Sequence, residues 1–267
     1  MTLGVTLHNL GVLYERMEQF ERAEPLLRRD LELVEQTLGP DRPEFAHSLA
    51  SLAFLKCRRG KLEEGTKLYR QAFTLYQSLL GETHVSTVRA VNNLGFALLQ
   101  QGEFAEAERL LQHAVALRKE LLGAQHPDYA DSLADLARLY LARQEYERAS
   151  AVLRESLLIT RYHLDLSAAM QSERQQLAMS EVLRRRLDLF ISLALASEMS
   201  GEQLHDEILN WKGAVFSRRL QLLGLQADWF DPWIAAEPPA PAGGDRDLID
   251  QSLQDLRAIV GVAVGAG

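Results

Sequence analysis

The chain is predicted to be all-α, a superhelix of tandem helix-turn-helix units closed by further helices, and three observations carry that prediction. The first is an exact period of 42 residues with no insertion: Leu10-Gly11, Leu52-Ala53, Leu94-Gly95 and Leu136-Ala137 recur in register. Three more columns keep the same step: Phe20, Leu62, Phe104 and Tyr146; Ala23, Gly65, Ala107 and Ala149; Leu27, Tyr69, Leu111 and Leu153. The second is helical apolar spacing inside a unit, as in Leu7, Leu10, Val12, Leu13 and Tyr14, then Phe20, Ala23, Leu26, Leu27 and Leu31. The third is punctuation. Units end on Leu38-Gly39-Pro40, Leu80-Gly81-Glu82 and Leu122-Gly123-Ala124, where glycine is expected as a left-handed helix cap.

Each unit divides into two helices at Glu18-Gln19, Arg59-Gly60, Gln101-Gly102 and Arg143-Gln144. Small residues at Gly11, Ala53, Gly95 and Ala137 are expected to face Ala23, Gly65, Ala107 and Ala149, so that paired helices approach closely. The units run over about 1–43, 44–85, 86–127 and 128–165. The pattern resembles the tetratricopeptide repeat (TPR), on Leu10-Gly11, Tyr14, Phe20 and Ala23. Its 42-residue step is similar to the kinesin-light-chain type, on Asn92-Asn93-Leu94-Gly95 through Glu106-Ala107-Glu108 to Leu122-Gly123. The resemblance implies a right-handed superhelix with a concave binding face.

After His163 the period fails. Residues 167–199 are predicted to form one long helix, apolar nearly all round from Leu187 to Ala196 and hence buried, ended by Gly201. A further helix is expected over 202 to about 224, with Gly213 permitting a close helix contact. Residues 226–245, through Asp231-Pro232, Glu237-Pro238-Pro239-Ala240-Pro241 and Gly243-Gly244, exclude a helix and read as a loop. A short amphipathic helix, Asp247 to Ile259, and a small apolar tail complete residues 246–267. The runs Gln171-Ser172-Glu173-Arg174, Leu183 to Leu195 and Trp211-Lys212-Gly213 make residues 166–225 similar to the segment that joins the repeats to the peptidase in bacterial TPR-CHAT proteins. CHAT domains are caspase-like cysteine peptidases. That resemblance implies a regulatory, sensing role toward such a peptidase, in cis or in trans.

Composition narrows the function classes. The 267 residues are 47% hydrophobic and 25% charged, with a formal net charge of −8, so a basic nucleic-acid face is not expected. No run reaches membrane-span length, no basic leader precedes an apolar run, and the single cysteine predicts no disulfide; cytoplasmic residence is the expectation. No catalytic residue, metal site or cofactor is expected: HExxH, paired CxxC, GxSxG and glycine-rich phosphate loops are all missing. Cys57, flanked by Lys56 and Arg58-Arg59, reads as a small residue at a helix end, although those cations could depress its pKa. His84 and His126 share one loop column and read as turn or capping residues. Arg184-Arg185-Arg186 reads as a solvated or salt-bridged helix face near Glu181 and Asp188.

The remaining candidate is the concave face of the first helices. The resemblance assigns to it Val5, His8, Asn9 and Val12; His47, Ala50, Ser51 and Phe54; Arg89, Asn92, Asn93 and Phe96; and Asp131, Ala134, Asp135 and Arg138. Partner-binding candidates are His8, Asn9, His47, Ser51, Arg89, Asn92, Asn93, Phe96 and Arg138. Asparagine offers donor and acceptor to a main chain, and Arg89 could hold a carboxylate. The ligand expected is a protein or peptide segment of acidic character; the other reading is that solvent or the chain's own C-terminal segment covers these residues. Trp229, Phe230 and Trp233 beside the proline-rich loop either plug a groove or anchor a partner. The functional expectation is a protein-interaction scaffold of a TPR-CHAT system, the alternative a stand-alone peptide-binding adaptor, and a third reading a CHAT enzyme whose peptidase follows in a longer chain.

Overall fold

A computed structural model describes residues 2–167 and scattered positions between 182 and 197. Eight helices are complete among the described residues, and none of these residues is in a strand: α1 (Thr2–Arg16), α2 (Phe20–Leu38), α3 (Pro43–Arg58), α4 (Leu62–Leu80), α5 (Val85–Gln101), α6 (Phe104–Leu122), α7 (Pro127–Ala142) and α8 (Tyr146–Ser167). The chain divides into two compact units, residues 1–139 and 140–267.

In the first unit each helix packs on the next, from α1 on α2 through α5 on α6, and α1 also touches α3 directly. That order is the tandem hairpin predicted from the 42-residue step. The period is visible in the core. Ala23, Leu27, Leu52 and Leu55 form one buried cluster, with Val12, Tyr14, Phe20, Leu31 and Leu68 packed against it. Each such leucine contributes about 1.5–3 kcal/mol by leaving water. Close approach also holds, with a different partner. A β-carbon on Gly11 would lie 2.8 Å from Leu27 and one on Gly95 3.0 Å from Leu111, so leucine, not alanine, is the nearest side chain.

The turns correct one expectation. Gly39, Gly81 and Gly123 have φ of 84–89° with ψ of 159–168°, which is not the left-handed helical region but an extended conformation reserved almost entirely for glycine. The left-handed cap appears instead inside each unit: Gly102 has φ 84° and ψ 7°. Gly60 shares that sign of φ, and so do the non-glycine residues Glu18 and Gln144 in the equivalent turns. His84 and His126 do cap: the Nδ1 of each accepts a backbone N–H two residues on, from Ser86 and Asp128, at 3.1 Å.

Charged residues tie neighbouring hairpins. The buried Lys56 ammonium of α3 donates to Glu24 of α2 at 2.8 Å and pairs with Glu64 of α4 at 2.7 Å. Arg59 reaches Glu24 and Glu21, while Arg58 reaches Glu18 and the buried Glu15. Such pairs fix which face of one hairpin meets the next.

In the second unit, the described residues beyond 181 are helical up to Ala196, as expected, but one-sided: Leu189, Phe190, Leu193 and Ala194 are buried, whereas Asp188, Ser192 and Ala196 are exposed. Arg186 is not on a solvated face. It is buried and donates to the Thr160 hydroxyl and the Ser156 carbonyl of α8. The readings for 202–224, the 226–245 loop with Trp229, Phe230 and Trp233, and the 247–259 helix lie outside the described residues.

Candidate protein-interaction face

Small residues let the two helices of each hairpin approach closely, and side chains of successive first helices then meet across units. The first meeting point joins α1, α2 and α3. His8 Nδ1 lies 3.0 Å from Asp30 Oδ2, the Ser48 hydroxyl donates to the same oxygen at 2.7 Å, and the His8 ring stacks on His47 with centroids 4.6 Å apart. Asp30 is buried. Being an acceptor already served by Ser48, it fixes the proton of neutral His8 on Nδ1 and leaves Nε2 as the second ring nitrogen. Partial burial, then the charges of His8 and Arg89, hold His47 below the usual histidine value against the pull of Asp30. Arg89 hydrogen-bonds the Tyr76 hydroxyl of α4; burial raises that phenol, and Arg89 offsets the rise only in part.

The second meeting point joins α5, α6 and α7. One Arg118 nitrogen donates to the Asp128 carbonyl and to the Ser132 hydroxyl, each at 2.7 Å. The Ser132 hydroxyl donates in turn to Asn92 Oδ1 at 2.6 Å, and Asn92 Nδ2 donates to Asp135 at 2.8 Å. Arg138 closes the chain by pairing with Asp135 at 2.7 Å while its guanidinium lies 5.8 Å over the Phe96 ring. Burial pushes Asp135 up, with Arg138 and Asn92 opposing, and pushes Arg118 down, with Asp128, Asp131 and Asp135 opposing.

The nine candidate residues therefore separate. Asn9, His47 and Arg89 are exposed, while His8, Ser51, Asn93, Phe96 and Arg138 are half-buried. Asn92 is 5% exposed with its amide spent inside the protein, which removes it from a ligand's reach. The Ser51 hydroxyl donates back to the His47 carbonyl at 3.2 Å. Phe54, from the same helix face, is 46% exposed, an uncovered ring between the two polar clusters in sequence. Sequence reasoning missed Asp30, Ser48, Tyr76 and Arg118. A signal existed for two of them: Asp30 shares its column with Ala72 and Ala114, and Arg118 shares its column with Val34 and Tyr76.

Burial pushes the Cys57 thiol up to about 11, so its neighbours Lys56 and Arg58 do not activate it. Among the described residues no cluster of three or more His, Cys, Asp or Glu could hold a metal, and no helix is long and apolar enough to cross a membrane.

Comparison with known proteins agrees with this architecture. One tetratricopeptide-repeat family model matches residues 44–120 and 86–161, and a second matches residues 3–44. Residues 166–225, where a TPR-CHAT joining region is expected from the sequence, are outside the matched residues. No curated protein matches the chain. Among solved structures, BtubC (BKLC) from P. vanneervenii is 19% identical with a TM-score of 0.58, over 91% of this chain and 86% of that one. The apo form of RapI is 11% identical with a TM-score of 0.53, over 100% of this chain and 86% of that one. Nearly identical TPR-like repeats of kinesin-light-chain type from Podosopora anserina are 24% identical with a TM-score of 0.49, over 72% and 89%. The matched models run from residue 3 to residue 161, more than half of the chain, over the same hairpins that the 42-residue step predicts. The chain belongs to the tetratricopeptide-repeat family, whose stacked hairpins are scaffolds suited to protein–protein interaction.

Proposed function

We propose that this chain is a peptide-binding adaptor whose first-helix face takes an extended or helical protein segment of acidic character. The observation that supports it most is the asymmetry of that face. Arg118, Asn92 and Ser132 are consumed by one another, whereas Asn9, His47, Phe54 and Arg89 stay exposed and Asn93 half-exposed. Asn9 and Asn93 occupy one column on the first helices of the first and third units, with Ser51 between them, where a carboxamide can meet a main-chain N–H and C=O. Phe54 supplies an apolar contact, and the two histidines with Arg89 supply the attraction for acid. The test is a titration with acidic and charge-reversed peptides at two salt concentrations. Binding of the acidic set alone, weakened by salt, is the expected result; equal binding of both sets would sink the reading.

A second reading rests on the sequence motifs at 171–174, 183–195 and 211–213: the partner is a CHAT peptidase, held or released when a ligand docks. Co-purification of such a peptidase with the chain, lost on substitution of Trp211, is what this reading predicts. Cytoplasmic residence belongs with both readings and rests on the single cysteine.

A further inference from the structure

The His8–His47 stack is unusual for a face that is otherwise a peptide groove. Two imidazoles 4.6 Å apart cannot both carry charge without repulsion, and a cation, Arg89, acts on His47 as well. We propose that His8, His47 and Arg89 form an oxyanion subsite which takes a carboxylate or phosphate group of the bound segment and gains one proton as it does so. The inference rests on the peptide-binding reading above and names the chemistry of its anchor.

The groups that face the pair come from five helices. His8 is on α1, Asp30 on α2, His47 and Ser48 on α3, Tyr76 on α4 and Arg89 on α5, and Glu44 acts on Tyr76 from the start of α3. Asp30 and Arg89 offset each other, so with both rings neutral the cluster has no net charge. An incoming oxyanion adds a negative charge, and the site answers by protonating a ring. His8 is held to Asp30 through Nδ1, so the exposed His47 ring beside it is the one that receives that proton and donates it to the ligand oxygen. In the free protein partial burial, then the His8 ring and Arg89, resist protonation of His47. The ligand removes that resistance, so affinity rises as pH falls through the histidine range. Binding is thus linked to proton uptake, with a tenfold gain in affinity for each unit by which the bound ligand raises the ring's pKa.

The experiment uses inorganic phosphate on the full chain, followed through the imidazole Cε1–H signals of its seven histidines, with assignments from His8→Gln and His47→Gln. Phosphate should shift the His8 and His47 signals saturably and leave those of His84, His113 and His126 in place. Because phosphate itself takes up a proton in this range, the pH dependence is read with sulfate, which stays a dianion throughout: its affinity should be about tenfold higher near pH 5.5 than near pH 7.5, and Arg89→Gln should weaken it severalfold at both. Uniform small shifts across all histidines, or an affinity independent of pH, would overturn the inference. Phosphoserine and glutamate peptides then separate the two sources of oxyanion by which displaces phosphate. Peptides that bind without displacing phosphate refute the subsite and leave the adaptor reading standing. Anion binding of the expected pH dependence with no binding of any peptide retains the subsite and removes the adaptor reading.

Discussion

Cys57 and Gly65 are packed so closely across the second hairpin that a β-carbon on the glycine would lie 2.4 Å from the Cys57 sulfur and 2.9 Å from the Ala53 carbonyl oxygen. The glycine is there because α3 and α4 touch at their backbones. In the other three units alanine fills the same column, beside Glu15, Leu99 or Leu141 in place of cysteine.

Gly65→Ala should therefore cost about 1–3 kcal/mol, as overpacking does in a filled core. Adding Cys57→Ala should recover part of that loss, since it clears the sulfur but not the carbonyl. Urea titrations of the three variants check this. Cys57→Ala alone should leave partner binding intact, because the thiol is half-buried with its pKa pushed up to about 11.

The two kinds of turn predict different penalties for the same substitution. Gly123→Ala places a side chain in a conformation nearly exclusive to glycine and should cost about 1–3 kcal/mol. Gly102→Ala, at a left-handed helical position, should cost about 1–2 kcal/mol. Gln144→Gly, at φ 62°, should stabilise by a few tenths of a kcal/mol up to roughly 1, since strain relief exceeds the added chain entropy. Thermal melts that rank the three otherwise would show that these turns are not strained.

Asn92 and Asn93 are neighbours with opposite assignments. Asn92→Ala strands the Ser132 hydroxyl and one Asp135 oxygen in a buried network and should cost about 1–3 kcal/mol of stability. Asn93→Ala should leave the melt unchanged and weaken ligand binding instead. Equal melts for the two variants would contradict the inward placement of Asn92.

That difference also shows what the sequence could convey. The 42-residue columns name every hairpin and most of the core, because packing repeats wherever apolar and small residues repeat. The polar clusters break the columns. Asn92 turns inward because Arg118, in a column that holds Val34, Tyr76 and Thr160 in the other units, brings a guanidinium into the core onto Ser132, whose hydroxyl in turn needs the Asn92 acceptor. Arg186 behaves likewise with Thr160. A charge run reads as a solvated face until the neighbour that receives it is known, and that neighbour is a distant residue in the chain.

Stability should depend on pH through two groups. Burial opposes ionisation of Glu24, but hydrogen bonds from Lys56 and Arg28 outweigh it and hold its pKa at about 2, below the ordinary 4.5. A depressed acid stabilises fully above its unfolded value, and that stability is lost as pH falls from 4.5 toward 2. After solvent screening the effect is on the order of 1–2 kcal/mol. His47 is depressed as well, so the unfolded chain takes up its proton first and stability falls as pH drops below about 6.5. Urea midpoints measured from pH 8 to pH 3 should show both steps. Glu24→Gln should remove much of the lower one and His47→Gln the upper one.

The central claim is that the first-helix face carries the ligand. Its most direct test is selection of binders from a random peptide display library on the intact chain, followed by titration of the enriched peptides against the Asn93→Ala, Arg89→Ala double variant. The account predicts enrichment of acidic segments and a loss of about 2–4 kcal/mol in the double variant, since each side chain donates one or two hydrogen bonds, some charge-assisted. Peptides without acidic character that bind the double variant as tightly as the native chain would contradict it.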